Sequence, residues 1–273
     1  KATITNSKPD IIFVIGFMYR FFDLKFISQL KQEHSFKLFL YDTDSCNLFS
    51  NKRELIYFIE KELPVYDHIY SFSKTTTEFI NKLSYLNATY LAFGAKEITI
   101  REEKKINDVL FVGSADMRRI YLLESLSTFK LSVFGSKWRR NQSVISPELY
   151  AAISPVSIWG EELYQHIFSS KIILNITRSS FYGVETGINL RIFETLAAQG
   201  FLLTDYTPEL GEIFKIGEEI ESYSCSEELI DKVDYYLKNE DKRKKIAKQG
   251  HKLYLKKYTW ESRIKGLIKD FIL

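Results

Sequence analysis

Residues 171–204, KIILNITRSSFYGVETGINLRIFETLAAQGFLLT, form the stretch that decides the fold. An apolar run at 171–176 leads through a glycine-containing loop into a helix-period segment at 190–199, and a second apolar run follows at 201–204. Gly200 stands between helix and strand, where a glycine in the left-handed conformation is expected to end the helix. A strand, a helix and a second strand in this order indicate a doubly wound α/β fold with a parallel sheet.

The same alternation extends along the rest of the chain. Further apolar runs lie at residues 11–17, 37–41, 68–72, 89–94, 109–112, 131–134 and 219–223, and further helix-period segments at 117–127, 161–168, 227–239 and 241–258. A charged stretch, residues 101–105, interrupts the pattern before it restarts. We therefore predict two Rossmann-like α/β domains that face one another across a cleft: a short one at residues 1–104, and a second at residues 105–273 that ends in a helix at 259–273.

The composition excludes several classes of protein. Hydrophobic residues make up 45% of the 273 residues, which is enough to offset the conformational entropy that keeps polar chains disordered. The formal net charge of +3 lacks the strong field of a dedicated nucleic-acid binder, so we expect no nucleic-acid partner. Cys46 and Cys225 are too few for a disulfide framework or a metal cluster, and they indicate reduced thiols in the cytoplasm. The longest apolar stretch, residues 11–22, is too short to cross a bilayer.

Glu194 is the residue of the helix at 190–199 that points to a function. With Leu190 as the origin at about 100° per residue, Phe193, Ala197 and Glu194 all fall within about 60° of it, so Glu194 lies on the apolar face. A buried carboxylate needs a partner. One candidate is Arg191 in a structural ion pair. The other is the pair of ribose hydroxyls of a nucleotide, whose phosphates would contact Arg191 and the helix N-terminus.

A second candidate site follows the apolar run at 109–112. Gly113 and Ser114 come directly after it, and Asp116, Arg118 and Arg119 stand at the start of the next helical segment. Amides at a helix N-terminus and a nearby arginine form a phosphate corner, although a glycine after a strand is also a common tight turn. Arg178, just after the run at 171–176, either adds charge to this corner or bridges to a carboxylate. Neither a Gly-x-Gly-x-x-Gly fingerprint nor a P-loop occurs in the chain.

Several of these motifs together resemble the CgeB-like glycosyltransferases of the two-domain GT-B class, which have a glycosyl transferases group 1 type C-terminal domain. The matching stretches are DVLFVGS at 108–114, NLRIFE at 189–194, FLLTD at 201–205, EEL at 227–229, YYL at 235–237 and YTWESR at 258–263. The resemblance covers roughly residues 108–268 well and the first hundred residues only loosely. The N-terminal half is short for this class, which would fit a missing first βα unit.

The resemblance implies an enzyme that moves a sugar from a nucleotide-diphosphate donor to a hydroxyl, and a metal-independent mechanism. The C-terminal domain would bind the donor through Gly113, Ser114, Arg118, Arg178, Gly187, Asn189, Leu190, Arg191 and Glu194, with Glu194 on the ribose. The N-terminal domain would hold the acceptor, which is a glycan, a lipid-linked molecule or a protein, in bacterial glycan or glycoconjugate synthesis. No cofactor besides the donor is expected. Many GT-B enzymes carry a further Glu at the position of Thr186, and this chain departs from that pattern.

Asp42 and Asp44 follow an apolar run and form an Asp-x-Asp motif. In the GT-A transferases such a motif binds a divalent metal, and in haloacid-dehalogenase-type phosphatases the first Asp is the nucleophile. Asp-x-Asp is also common in solvated turns. In the GT-B interpretation, Asp44 or Asp42 accepts the proton of the acceptor hydroxyl. Two alternatives therefore stay open: a metal-dependent transferase that uses these carboxylates, and a nucleotide-sugar-binding module that has lost its acceptor site.

The segment at 242–257 is rich in lysine on a helical pattern. Such a segment is usually the solvated face of a helix. The alternative is peripheral contact with anionic lipid at the inner face of a membrane, which would suit a lipid-linked acceptor.

Overall fold

The computed structural model describes residues 1–83, 85–186 and 188–272, and the chain divides into two compact units. The first unit comprises Lys1–Ala92 and Gly183–Thr186, and the second comprises Phe93–Tyr182 and Gly187–Leu273. The domain boundary predicted from sequence lies after residue 104, and in the structure the residues from 93 to 104 group with the second unit.

In the described residues, the first unit contains a parallel sheet of four strands in the order β1-β2-β3-β4. The strands are β1 (Ile11–Ile15), β2 (Lys37–Asp42), β3 (His68–Ser71) and β4 (Ala88–Tyr90). The α-helices are α1 (Ala2–Ser7), α2 (Leu24–His34), α3 (Lys52–Tyr57) and α4 (Lys74–Asn81). Strand β2 is buried from Leu38 onward, because a central parallel strand is covered on both faces.

The second unit is a larger parallel sheet covered by helices. Its strands are β5 (Asn107–Val112), β6 (Leu131–Phe134), β7 (Ile153–Ser154), β8 (Ser170–Asn175), β9 (Leu202–Asp205) and β10 (Glu221–Tyr223). Its helices are α5 (Met117–Glu124), α6 (Pro147–Ala151), α7 (Gly160–Phe168), α8 (Ser179–Tyr182), α9 (Leu190–Ala197), α10 (Pro208–Ile213), α11 (Ser226–Lys238), α12 (Glu240–Lys257) and α13 (Trp260–Ile272). Of the helices in the described part of the chain, none is both long enough and apolar enough to span a membrane.

The strand order of the second sheet is β10-β9-β8-β5-β6-β7. The chain builds outward from β5 through β6 to β7, then crosses back to β8 beside β5 and builds outward in the other direction. This is the Rossmann arrangement, in which the order reverses between the first and the fourth strand. Val109 and Leu110 of β5 pair with Ile172 and Ile173 of β8 at the centre of the sheet.

The two faces of this central pair bury different helices. Val109 and Phe111 pack on one face with side chains of α5, α11 and α12, among them Leu123 and Val233. Leu110 and Ile173 pack on the other face with side chains of α7, among them Leu163 and Ile167. The prediction of a doubly wound α/β unit is therefore confirmed for the second half of the chain.

Helix α9 ends differently from the prediction. The left-handed residue after it is Gln199, with φ 52°, and the φ of Gly200 lies outside the left-handed region. A Cβ at Gly200 would lie 3.0 Å from Cγ2 of Ile167 and 3.0 Å from Cγ2 of Thr195. Glycine is therefore favoured at position 200 because side chains of α7 and α9 approach the backbone closely there, and not because of the backbone angle.

Candidate active site

The candidate site lies at the carboxyl edge of the second sheet, where the strand order reverses between β5 and β8. Ligands of open α/β sheets bind outside the carboxyl ends of the strands at such a reversal. Gly113 and Ser114 follow β5, and Thr177 and Arg178 follow shortly after β8. The topology therefore brings the two predicted phosphate-binding segments to the same edge of the sheet.

Gly113 begins a turn that is fixed by protein contacts. Its amide donates to the Phe134 carbonyl at 2.8 Å, and its carbonyl accepts from Nε1 of Trp138 at 3.1 Å. A Cβ at Gly113 would lie 2.9 Å from Cζ of Phe111 and 3.2 Å from Nη1 of Arg119. The close approach of this ring and this guanidinium explains why glycine occupies position 113, and no bound ligand is needed for that explanation.

Arg119 joins the loops after β5 and β8; the sequence placed it in the phosphate corner but not among the predicted donor ligands. Its Nε and Nη2 donate to the Ile176 carbonyl at 2.9 and 2.8 Å, and its Nη1 donates to the Ser114 carbonyl at 2.8 Å. Burial lowers the pKa of Arg119 to about 10, so the side chain is still a cation at neutral pH. Asp116 of the same corner caps α5 by accepting from the Arg119 amide at 3.0 Å.

Arg118, a predicted phosphate ligand, is held by a carboxylate that the prediction missed. Its Nη1 donates to Oδ2 of Asp205 at 2.6 Å and to the Thr177 carbonyl at 2.9 Å, and its guanidinium carbon lies 3.7 Å from the centroid of the Tyr182 ring. Asp205 is 2% exposed, and it also accepts from the amide and the hydroxyl of Thr177 at 2.9 and 2.8 Å. Arg118 therefore forms a structural ion pair with Asp205, and a contact with a ligand would be additional to that pair.

Arg178 and Ser114 are brought together as predicted. Nη2 of Arg178 donates to the Ser114 hydroxyl at 3.3 Å, and the guanidinium lies over the Phe181 ring with its carbon 5.8 Å from the centroid. Arg178 is half-buried. The contact with Ser114 fits the alternative in which Arg178 adds positive charge to this corner.

A chain of amide and hydroxyl contacts ties the start of α9 to the ends of β8 and β9. Nδ2 of Asn189 donates to Oδ1 of Asn175 at 3.1 Å, and Nδ2 of Asn175 donates to the Thr204 hydroxyl at 2.9 Å. The Thr204 hydroxyl in turn donates to Oδ1 of Asp205 at 3.2 Å. Oδ1 of Asn189 caps α9 by accepting from the Arg191 amide at 3.1 Å. Asn189, a predicted ligand of the sugar donor, therefore sets the position of α9.

Glu194 and Arg191 form the ion pair that one of the two predicted alternatives requires. Nη1 of Arg191 donates to Oε2 of Glu194 at 2.7 Å, and each side chain is 18% exposed. Burial raises the pKa of Glu194 and lowers that of Arg191, and the attraction between the two charges opposes both shifts. Burial also raises the pKa of the neighbouring Tyr164 to about 12, to which the Glu194 charge adds.

The ion pair leaves polar atoms of both side chains unused. Among the described residues, only Arg191 donates a hydrogen bond to Glu194, and the buried Nε of Arg191 has no hydrogen-bond partner within this part of the chain. A structural pair and a ligand contact are thus compatible, because the second carboxylate oxygen of Glu194 keeps its lone pairs.

The start of α9 and the loop before it contain three further positions that the sequence motifs singled out. Leu190 begins α9, but its side chain is 40% exposed, so it is not the centre of the apolar face; Ile192, Phe193 and Leu196 form that face. Gly187 lies outside the described residues. Thr186 belongs to the first unit, where its hydroxyl oxygen is 2.8 Å from that of Ser73, and it is 1% exposed.

A cavity of about 260 Å³ adjoins the Gly113 turn beyond β6. The Ser136 carbonyl in its wall accepts from the Ala115 amide at 2.9 Å, so the cavity and the turn share a boundary. Its lining consists of Ser136, Lys137, Trp138, Arg139, Arg140 and Pro155. This cationic wall extends the positive charge of the site along the carboxyl edge of the sheet.

Asp42 and Asp44, predicted as catalytic, lie in the first unit and differ sharply. Asp42 is 2% exposed; its Oδ1 accepts from the amides of Asp44 and Ser45 at 3.2 and 2.8 Å, and its Oδ2 from the hydroxyls of Ser45 and Ser71 at 2.5 and 3.1 Å. Burial raises its pKa, and these hydrogen bonds oppose the rise. The burial of both carboxylate oxygens disfavours Asp42 as the base, so Asp44 is the better placed of the two predicted residues.

Asp44 reaches solvent and accepts from Nδ2 of Asn47 at 3.0 Å and from the Thr43 hydroxyl at 3.2 Å. Within residues 1–83, 85–186 and 188–272, no group of three or more His, Cys, Asp or Glu side chains is placed to hold a metal ion.

Comparison with known proteins decides the family. A family model described as glycosyl transferase-like matches residues 118–269, more than half of the chain. The chain belongs to the glycosyl transferase-like family. The predictions of a glycosyltransferase and of its fold class are thereby confirmed, and this glycosyltransferase has the GT-B fold of the solved structures that it resembles. No curated protein sequence matches it significantly.

Three solved structures illustrate the likeness of fold. Sucrose-phosphate synthase from Thermosynechococcus elongatus is 13% identical, with a TM-score of 0.71 over 99% of this chain and 76% of that one. HepE from Anabaena, in complex with UDP and glucose, is 10% identical, with a TM-score of 0.68 over 99% of this chain and 80% of that one. TarM from S. aureus, in a complex that contains UDP, is 12% identical, with a TM-score of 0.64 over 85% of this chain and 50% of that one.

Proposed function

We propose that this glycosyltransferase moves a sugar from a nucleoside-diphosphate donor to an acceptor hydroxyl without a metal ion and without a further cofactor. The nucleotide binds at the carboxyl edge of the second sheet, with its ribose on Glu194 and its diphosphate near Ser114 and Arg178. The observation that carries this proposal is Glu194, which is held by Arg191 through one carboxylate oxygen while the other has no donor among the described residues. A carboxylate in that state can accept from two adjacent ribose hydroxyls.

The charge of the leaving diphosphate has suitable partners on this edge. When the acceptor oxygen bonds to the anomeric carbon, the bond between that carbon and the diphosphate oxygen breaks, and negative charge collects on the phosphates. Arg178 and the amides at the start of α5 lie beside Ser114, and fixed positive groups of this kind stabilise the transition state most in a site that excludes water. Arg118 and Arg119 hold the two loops and contribute positive charge at longer range.

The first unit supplies the candidate base. Asp44 is the solvent-exposed carboxylate of the Asp-x-Asp motif, and we propose that it takes the proton of the acceptor hydroxyl. The metal-dependent alternative needs Asp42 as a ligand, and it is disfavoured because four hydrogen bonds from described residues already occupy that carboxylate. Loss of activity in EDTA and its restoration by Mn²⁺ would contradict the metal-independent mechanism.

The solved structures that share the fold support a nucleotide donor. HepE was solved with UDP-glucose, and TarM with UDP and α-GlcNAc-glycerol. The sequence motifs favour the CgeB-like group and a role in bacterial glycan or glycoconjugate synthesis, with a glycan, lipid-linked or protein acceptor. A cytoplasmic site of action is part of this proposal and is supported by the low cysteine content.

The experiment separates a ribose contact from a structural ion pair. The tightest of UDP, GDP, ADP and TDP is titrated calorimetrically, and so is its 2′,3′-dideoxy form, into the wild type and Glu194→Ala. We expect the wild type to bind the ribonucleotide roughly tenfold to a hundredfold more tightly than the dideoxy form, since a hydrogen bond to a charged group contributes about 1.5–3 kcal/mol. Glu194→Ala should lose that discrimination.

Glu148→Ala is the matched control, because Glu148 is an exposed residue of α6 in the same unit. Thermal unfolding of both variants checks that they fold. Retention of the preference for the ribonucleotide by folded Glu194→Ala would assign the carboxylate to the ion pair alone and remove the proposed ribose contact.

A further inference from the structure

Helix α12 carries a stripe of lysines on its solvent side. Lys245, Lys248, Lys252 and Lys256 are all exposed and follow one another at intervals of three, four and four residues. At 100° and 1.5 Å per residue they fall within about 80° of arc and extend over about 17 Å. The opposite side of the helix is buried through Ile246, Gly250 and Tyr254, so the lysine stripe points away from the body of the second unit.

The stripe is distinguished from other lysines nearby by its lack of anionic partners. Lys244 pairs with Glu240 at 2.6 Å, and Lys238 of α11 pairs with Asp234 at 2.6 Å. In the described part of the chain, none of the four stripe lysines forms an ion pair with a carboxylate. Neighbouring lysines repel one another on a helix surface, so a row without counter-charges costs stability unless an anionic surface faces it.

An exposed apolar residue borders the stripe. Leu255 is 47% exposed and lies about 60° around the helix from Lys252, next to Lys256 in sequence. Lysine stems and a leucine on one face are the elements with which a surface helix rests in the headgroup region of a bilayer, with the ammonium groups on the phosphates and the apolar side chain below them.

We propose that the lysine stripe of α12 binds the surface of an anionic lipid bilayer. Four ammonium groups within about 80° of arc on one helix can contact a single plane, and Leu255 gives that contact an apolar component that the acyl region of a bilayer can bury. The formal net charge of the chain is only +3, so attraction comes from this local stripe rather than from the whole molecule. This surface is separate from the donor site and does not depend on it.

The test is co-sedimentation of the full chain with vesicles of phosphatidylcholine, with and without 30 mol% phosphatidylglycerol. We expect binding to the anionic vesicles at about 50 mM salt that weakens strongly towards 500 mM, because the Debye length shortens. Each lysine near an anionic leaflet strengthens binding roughly fivefold. A variant with Lys245→Gln, Lys248→Gln, Lys252→Gln and Lys256→Gln should therefore bind more than a hundredfold more weakly. Glutamine keeps the helix propensity of lysine.

The matched control carries Lys25→Gln, Lys61→Gln, Lys96→Gln and Lys130→Gln, four exposed lysines outside α12. It changes the net charge equally and should retain most of the binding, and calorimetric nucleotide binding should be the same in both variants. Leu255→Gln should weaken vesicle binding severalfold. An equal loss in the control would overturn the proposal in favour of overall charge. Failure of the wild type to bind anionic vesicles at low salt, or tighter binding to polyadenylate than to vesicles of equal charge, would also overturn it.

Discussion

Asp42 in the first unit and Asp205 in the second are alike in position and opposite in chemistry. Each ends a parallel strand, each is 2% exposed, and each accepts hydrogen bonds from a neighbouring loop. The donors to Asp42 are two amides and two hydroxyls, all neutral. The donors to Asp205 include the guanidinium of Arg118. Asp42 thus closes a turn, whereas Asp205 fixes a cation at the edge where we place the donor.

Glu194 represents a third state of a partly buried carboxylate. It keeps 18% of its side chain exposed and has a single partner among the described residues, which is Arg191. The lesson is that a carboxylate beside a strand or helix end becomes available to a ligand only when the protein leaves part of its acceptor capacity unused. Burial alone does not distinguish Asp42 from Asp205.

Asp205→Asn should have the largest effect on stability. The amide keeps the shape of the side chain but leaves the partly buried Arg118 without its counter-charge. Breaking a fully buried pair costs about 3–5 kcal/mol in the free energy of unfolding, and we expect a loss near the lower end of that range, about 3 kcal/mol, because Arg118 keeps some contact with solvent. Because Thr177 loses its anionic acceptor as well, nucleotide affinity should also fall. Urea unfolding at pH 7 measures the first effect and calorimetry the second.

The control for that variant is Asp42→Asn. Its carbonyl oxygen can still accept from the amides of Asp44 and Ser45, and its NH₂ can donate to the hydroxyls of Ser45 and Ser71, since a hydroxyl both donates and accepts. We expect a loss of at most about 1 kcal/mol, as for one ordinary hydrogen bond. Equal losses in the two variants would abolish the distinction between Asp42 and Asp205.

Asp42→Ala should have an intermediate effect. It removes the acceptor of four buried hydrogen bonds, and unsatisfied buried donors cost about 1–3 kcal/mol each before water and the rotating hydroxyls compensate, so we expect a loss of roughly 2–3 kcal/mol. Nucleotide affinity, measured by calorimetry on the folded fraction, should not change. A nucleotide affinity that fell with this variant would show that Asp42 acts on the donor site.

The smallest expected effect is on the pH dependence of nucleotide binding. Burial raises the pKa of Glu194 above its ordinary value of 4.5. The carboxylate form accepts from the ribose, so affinity should fall as the pH is lowered from 7 towards 5, by at most about tenfold. Glu194→Gln should lose this part of the pH profile, while Asp42→Asn should follow the wild type. Because the phosphates of the nucleotide also titrate, the informative quantity is the difference between wild type and Glu194→Gln at each pH. Identical profiles would exclude titration of Glu194 in this range.

Much of the fold could be predicted because strands buried on both faces are apolar throughout. The runs at 109–112, 131–134 and 171–176 correspond within two residues to β5, β6 and β8. β7 was missed, since Ile153–Ser154 is too short to show a pattern. The helices α9 and α12 were predicted within two residues of their ends because their apolar positions repeat at helical spacing.

The site was predictable only where its contacts are local. The Asn189 cap and the pair of Arg191 with Glu194 lie within one or two turns of α9. The contact between Arg118 and Asp205 joins residues 87 positions apart, and that between Ser71 and Asp42 crosses to a neighbouring strand. Nothing in the local sequence shows that these partners meet. The sequence therefore could not indicate that Asp42 is buried under hydrogen bonds or that Arg118 is paired with Asp205.

The pairing of β5 with β8 has a consequence for folding kinetics. Asn107 contacts Ser170 across 63 positions of the sequence. The two central strands can therefore pair only after β6, β7 and α7, which lie between them, have been synthesised. Non-local parallel pairing of this kind is slow, because the entropy of closing the loop is lost before the contacts form. During synthesis on the ribosome, β5 therefore lacks its neighbour β8 until residue 175 has emerged, and the edge of β5 that pairs with β8 stays open until then.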